Sequence, residues 1–294
     1  MGIRTGSTGV NDVRSQIVEI IEEALSGGET VAVATVIDLG EQQDQGMTLG
    51  GKMLVRKDGS TVGSIGGGAI EESVREAAVG AFDERPRLEA QTVHVAAEGD
   101  AVSRRSQARP GDARVLIELH EAPGELIVVG GGHVGLALAE MGHMLGFRIT
   151  VIDDRQEFAN EERFPMAERV IAEEPAPALD AIEISDTTYA VLVSRGHQLD
   201  EEGLRHLVGR GAAYVGMIGS RRRTGTVLQH LADDGFDVAD LEAVYTPIGL
   251  DIGAETPEEI AMSILSEMVL ERRGGTGGQM REVKGRARLT APTA

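Results

Sequence analysis

Cysteine is absent from the 294-residue chain. That excludes disulfides, zinc–thiolate sites, iron–sulfur ligation and thiol catalysis by its own side chains. Tryptophan is absent too, and aromatic residues make up only 3%, too few for the stacking platforms that hold single-stranded nucleic acid. Positive charge is scarce: 28 basic residues against 48 acidic ones give a net charge of −20. Such a surface repels nucleic acid and anionic lipid, so neither is expected as a partner. Lysine occurs only at Lys52, Lys57 and Lys284, leaving 25 arginines among the 28 basic residues. No apolar run approaches the roughly 18 residues of a membrane span. The opening MGIRTGSTGVNDVR lacks the apolar core of a secretion signal. A soluble, cytoplasmic protein is expected, and the length suggests two domains.

The pattern of the chain changes once. Up to residue 121 it reads as a small α+β unit. A helix over 11–28, capped by Asn11, presents Val13, Ile17, Ile20, Ile21 and Leu25 on one face. TVAVATVID (30–38) is a β-branched strand, and 52–65 forms a hairpin around Asp58-Gly59. Strands follow at 91–97 and 113–120, with a polar, mobile loop expected between them. Over 122–273 strands and helices alternate: ELIVVG, a helix over 133–145, FRITVIDD, YAVLVS, a helix near 200–210, AAYVGMIG, a helix over 221–234, EAVYT and a last helix from Pro257. Thr256 and Glu259 make a capping box there. Alternation of this kind predicts an α/β Rossmann-like domain, a doubly wound parallel sheet following the N-terminal α+β domain. The Gly-rich, then basic tail 274–294 reads as disordered.

Two triple glycines each lead from a strand into a helix. The second, VVGGGHVG, contains G-x-G-x-x-G as Gly130, Gly132 and Gly135. Gly130 permits a tight turn, Gly132 lets backbone approach a pyrophosphate, and Gly135 lets helix and strand pack closely. The phosphates would sit on the N–H groups at the helix start, among Gly131, Gly132, His133 and Val134. Asp153, 18 residues after Gly135, ends the next strand and could hold a ribose hydroxyl. Asp154 would repel a 2′-phosphate and Arg155 could accept one, so NAD and NADP both stay open. The first glycine run, Gly66, Gly67 and Gly68, could bind a second anion, although Glu71 and Glu72 already stand in the first turn of its helix.

LVSRGHQLD places Ser194, His197 and Asp200 at the strand end, where ligands bind in open α/β sheets. His197 is placed for proton transfer or ligand contact. MIGSRRRTG ends another strand with Gly219, Ser220 and three arginines, of which Arg221, Arg222 or Arg223 could clasp phosphate. In PIGLDIGAETPEE, Asp251 is the one acid able to turn inward. No metal-ligand spacing, Ser-His-Asp order or carboxylate pair stands out, so cofactor chemistry or ligand handling is favoured over side-chain hydrolysis.

Taken together, GGKMLVRKDGSTVGSIGGGAIEESV (50–74), VVGGGHVGLALA, VIDDR with ANEERFP, YVGMIGSRRR and PIGLDIGAETPEEIAMSILSEM resemble, in order, the marks of the XdhC/CoxI family. These are maturation factors for molybdenum hydroxylases such as xanthine dehydrogenase and carbon monoxide dehydrogenase. The resemblance implies a carrier, commonly homodimeric, that binds molybdenum cofactor (molybdopterin), promotes its sulfuration with a cysteine desulfurase and delivers it to the apo-hydroxylase. Relatives often carry cysteine after the first glycine run, where this chain has Ala69, and again near Arg109-Pro110-Gly111; a further altered segment is EQQDQGMT (41–48). Two other readings stand beside this one. One is an NAD(P)-dependent oxidoreductase with His197 as acid/base. The other is a non-catalytic nucleotide-binding assembly module.

Overall fold

A computed structural model describes residues 8–42, 46–66, 68–84 and 88–285. The chain forms two compact units, Met1–Ala122 and Pro123–Ala294.

In the first unit, helix α1 (Thr8–Leu25) precedes strands β1 (Val31–Asp38), β2 (Lys52–Val55) and β3 (Thr61–Gly63). Helix α2 (Gly68–Asp83) and strands β4 (Ala90–Val95), β5 (Ala101–Val102) and β6 (Ala113–His120) complete it. The strands form one antiparallel sheet in the order β3-β2-β1-β6-β4-β5. Side chains alternate across a strand, and β1 uses both faces. Ala32, Ala34 and Val36 pack on Ile70, Val74, Ala78 and Phe82 of α2. Val31 and Val33 pack on Ile17 and Ala24 of α1. Leu25, expected on the inner face of α1, is instead 48% exposed. Ala24 takes that place because it lies three residues beyond Ile21 and one turn beyond Ile20.

The loop expected to be mobile between β4 and β6 carries β5 instead, paired with His94 and Val95. A turn closed by Ala96 and Asp100, with Gly99 at φ +95°, brings the chain back onto β4.

In the second unit, β7 (Glu125–Val129), α3 (His133–Met144), β8 (Arg148–Ile152), β9 (Arg169–Ile171) and α4 (Pro175–Asp180) come first. Then follow β10 (Thr188–Leu192), α5 (His197–Arg205), β11 (Tyr214–Met217), α6 (Arg221–Asp233), α7 (Val238–Glu242) and α8 (Pro257–Arg273). The five strands are parallel, in the order β11-β10-β7-β8-β9. Both faces are covered, as an all-parallel sheet requires. Leu126 and Val128 of β7 face α3 and α8, while Ile127 and Val129 face α4, α5, α6 and α7. This is the doubly wound α/β arrangement.

EAVYT, expected as a strand, is not one. Its first residue closes α7, and only Tyr245 bridges Gly216. Asp237 caps α7 through the Ala239 N–H, and Pro247 has no N–H to extend the ladder, so only four residues, 243–246, remain between the helix and the proline. The tail read as disordered holds a short helix, α9 (Met280–Val283), and residues 286–294 lie outside the described residues. Among the described residues, no helix is long and apolar enough to cross a membrane.

Candidate functional site

The order of the parallel strands reverses at β7, which has β8 on one side and β10 on the other. Ligands bind such sheets at the carboxyl ends of the strands beside this switch. The Gly130–Gly135 loop lies there, and each glycine has its own reason. Gly130 has φ +118°, and a Cβ on it would stand 2.6 Å from the Val193 carbonyl after β10. A Cβ on Gly135 would stand 1.8 Å from the Gly130 carbonyl. On Gly131 it would stand 2.1 Å from the Phe158 carbonyl. Gly132 differs: a Cβ there would meet nothing within 4 Å. Gly132 is the N-cap of α3, and no side chain caps that helix. The first-turn N–H groups of His133, Val134 and Gly135 therefore point out of the helix start next to open space, carrying the positive end of its dipole. His133 is exposed and Val134 half-buried.

Two further helices begin at the same edge. α5 starts at His197 after Gly196, and α6 at Arg221 after Ser220, each without a side-chain cap. The His197 side chain lies outside the described residues, so only its backbone position is known. Asp200, 4% exposed, accepts from the Ser194 N–H at 3.0 Å and so holds the turn that precedes α5. Gly219 brings the chain against Thr224 with φ +156°. Arg221, Arg222 and Arg223 are exposed. Arg222 and Arg223 line a cleft of about 360 Å³ with Ser220, Glu201, Thr226 and His230.

Asp153 is 5% exposed and fully engaged. It accepts from the Gly131 N–H at 2.8 Å, from the Arg155 N–H at 3.1 Å, and from the Arg155 guanidinium at 2.9 and 3.0 Å. Burial pushes its carboxyl up, but the Arg155 guanidinium and the two N–H donors outweigh that and hold it below the usual carboxylate range. Arg155 also lies over the Phe158 ring at 3.7 Å. Asp154 accepts from Arg195 at 2.8 Å, a bridge from the end of β8 to the end of β10. Phe158, Arg163 and Arg195 carry no signal in spacing or periodicity; their parts arise from tertiary contact.

The first glycine run behaves differently. Gly67 lies outside the described residues. Gly66 has φ +143° and packs on Met47, and Gly68 opens α2 with φ +71°. Glu71 reaches back to accept from Ser64 Oγ and from the Ile65 N–H at 3.1 Å. A carboxylate of the chain itself therefore stands at this helix start. Ala69 is exposed, and a Cβ on Gly99 would stand 2.8 Å from the Ala69 Cβ. Asp251 is exposed rather than turned inward. The inward acid is Glu267 of α8, which accepts from Tyr214 Oη at 2.5 Å and the Gly249 N–H at 3.0 Å. Among the described residues, no group of three or more His, Asp or Glu side chains is arranged to hold a metal ion.

Fold and loop together define a Rossmann-type domain whose first helix begins uncapped, with nothing within 4 Å of the Cβ position at Gly132. Residues 126–268 match the XdhC Rossmann domain, and residues 24–95 match the XdhC and CoxI family. The chain belongs to the XdhC and CoxI family. It is 36% identical over 231 residues to the uncharacterized protein YqeB of Escherichia coli strain K12, covering 78% of this chain and 42% of YqeB. It is 30% identical over 159 residues to a probable xanthine dehydrogenase component of Bacillus subtilis strain 168, covering 54% of this chain and 46% of that protein. The chain thus spans less than half the length of either curated relative. A crystal structure of a Bacillus halodurans protein called a xanthine dehydrogenase shares the fold, with TM-score 0.50 and 19% identity over 90% of this chain and 98% of that one.

Proposed function

We propose that the chain is an accessory factor in the maturation of a molybdenum hydroxylase of the xanthine or carbon monoxide dehydrogenase type, and that it holds molybdenum cofactor for delivery to the apo-enzyme. Family membership supports the maturation role. The observation that carries the cofactor part is the helix start at Gly132, open and uncapped. It suits the phosphate borne by molybdopterin, because unbonded N–H groups and the dipole favour an anion there. Ser220 and Arg221, at another helix start on the same sheet edge, are the second group we assign to ligand binding.

The chain has no thiol. Any sulfur transfer must therefore pass from a desulfurase directly to bound cofactor, without a stop on a cysteine of this chain. We assign His197 to proton transfer at the same edge on its backbone position alone. A homodimer belongs to this reading. Exposed Met144 of α3, Leu145 just after it, and Met262 and Val269 of α8 offer it an apolar surface, and light scattering measures it.

The test is complementation. In a host lacking this gene, the native chain is expected to restore hydroxylase activity, and Gly132→Asp is not. That substitution has room for its side chain but sets a carboxylate at the helix start. Activity restored by Gly132→Asp, or not restored by the native chain, counts against the proposal.

A further inference from the structure

A Rossmann loop of this type commonly takes an adenine dinucleotide. Its adenosine half lies on the side of the second strand, where the strand-end acid binds the ribose. The residues here do not fit that group. A carboxylate has about four lone-pair sites, and Asp153 accepts four hydrogen bonds, all from Gly131 and Arg155. None is left for a ribose hydroxyl. The space beside it is filled too. The Phe158 carbonyl abuts Gly131 so closely that a Cβ would stand 2.1 Å away. Arg155 covers the Phe158 ring. Arg163 donates to the carbonyls of Gly131 at 3.0 Å and Gly132 at 3.4 Å, so it fastens the far end of the segment to the loop. On the phosphate side, Gly132 stays open.

We propose that Asp153, Arg155, Phe158 and Arg163 form a plug that fills the adenosine half of the crevice, so that the loop accepts a phosphate-bearing ligand and rejects NAD and NADP. The inference rests on the reading of Gly132 as the phosphate site. It turns the strand-end acid of the motif from a ribose ligand into the anchor of a self-occupied pocket. It also removes the dinucleotide oxidoreductase as a reading of this chain.

Calorimetric titration of the full chain with NAD, NADP and AMP tests it. The native chain is expected to show no saturable binding up to the order of 1 mM, where binding free energy is only about −4 kcal/mol. The double substitution Arg155→Ala with Arg163→Ala loosens both ends of the plug and is expected to gain AMP binding by at least about tenfold. Submillimolar binding of NAD or NADP by the native chain overturns the proposal. So does a folded double variant, checked by circular dichroism, that gains no AMP binding. If the double variant does not fold, Arg163→Gln alone is read in the same way, with the same gain expected and its absence equally adverse. The outcomes separate from the functional reading. A chain that restores hydroxylase activity yet binds NAD loses only the plug, and one that rejects NAD yet restores nothing loses only the delivery role.

Discussion

Gly132 and Gly135 sit three residues apart in one motif, and their environments assign them opposite duties. Gly135→Ala would drive a methyl into the Gly130 carbonyl, whose oxygen lies 1.8 Å from the Cβ position. Backbone cannot yield cheaply, so a loss of about 1–3 kcal/mol is expected in denaturant unfolding. Gly132→Ala meets nothing within 4 Å and keeps an allowed φ of −65°. Its stability should change by less than about 0.5 kcal/mol, and any effect should appear in ligand binding. Equal destabilisation by the two would contradict this division. The motif was legible in the sequence because glycine spacing reports backbone approach. The fate of Asp153 was not. Its residue type and strand position suit a ribose, and only the fold shows Arg155 and the Gly131 N–H already on its oxygens.

At the scale of elements, the tyrosines show how the sheet is braced. All three tyrosines of the chain stack in one row. Tyr189 lies 6.4 Å from Tyr214, and Tyr214 lies 4.4 Å from Tyr245. Phe147 extends the row at 5.1 Å from Tyr189. Burial and then the Glu267 carboxylate push the Tyr214 hydroxyl far up. Burial and Glu271 push Tyr245 up to about 12. The folded state therefore holds these protons more tightly than the unfolded chain, whose tyrosines ionise near pH 10. The resulting stability is complete below about pH 10 and is lost as pH rises toward 12. Thermal melts across that interval should fall steeply, and Tyr245→Phe should flatten the fall. An unchanged slope would show that the stack does not govern it. Most elements around this row were readable from β-branched runs and helix caps, since strands buried on both faces and capping boxes leave local signals. EAVYT misled because its composition is strand-like while Asp237 and Pro247 fix what happens on either side. β9 and α4 gave no signal to read: three residues and a proline-led turn carry little periodicity.

At the scale of the whole molecule, each unit closes its own core: α1 and α2 sandwich one sheet, and α3 to α8 cover the other. Residues 1–122 and 123–294, produced separately, are each expected to unfold cooperatively. A fragment without a cooperative transition by circular dichroism would show that its core needs the other. The family pattern runs through both units and was legible because its motifs are long and ordered. What the ligand is was not legible, since glycine loops recognise phosphate and not what the phosphate is attached to. The most direct measurement is mass spectrometry of the small molecules released from the chain purified under native conditions, alongside the Gly132→Asp variant. The account predicts a phosphorylated pterin from the native chain and none from the variant. An adenine dinucleotide from the native chain, or no pterin from either, would contradict it.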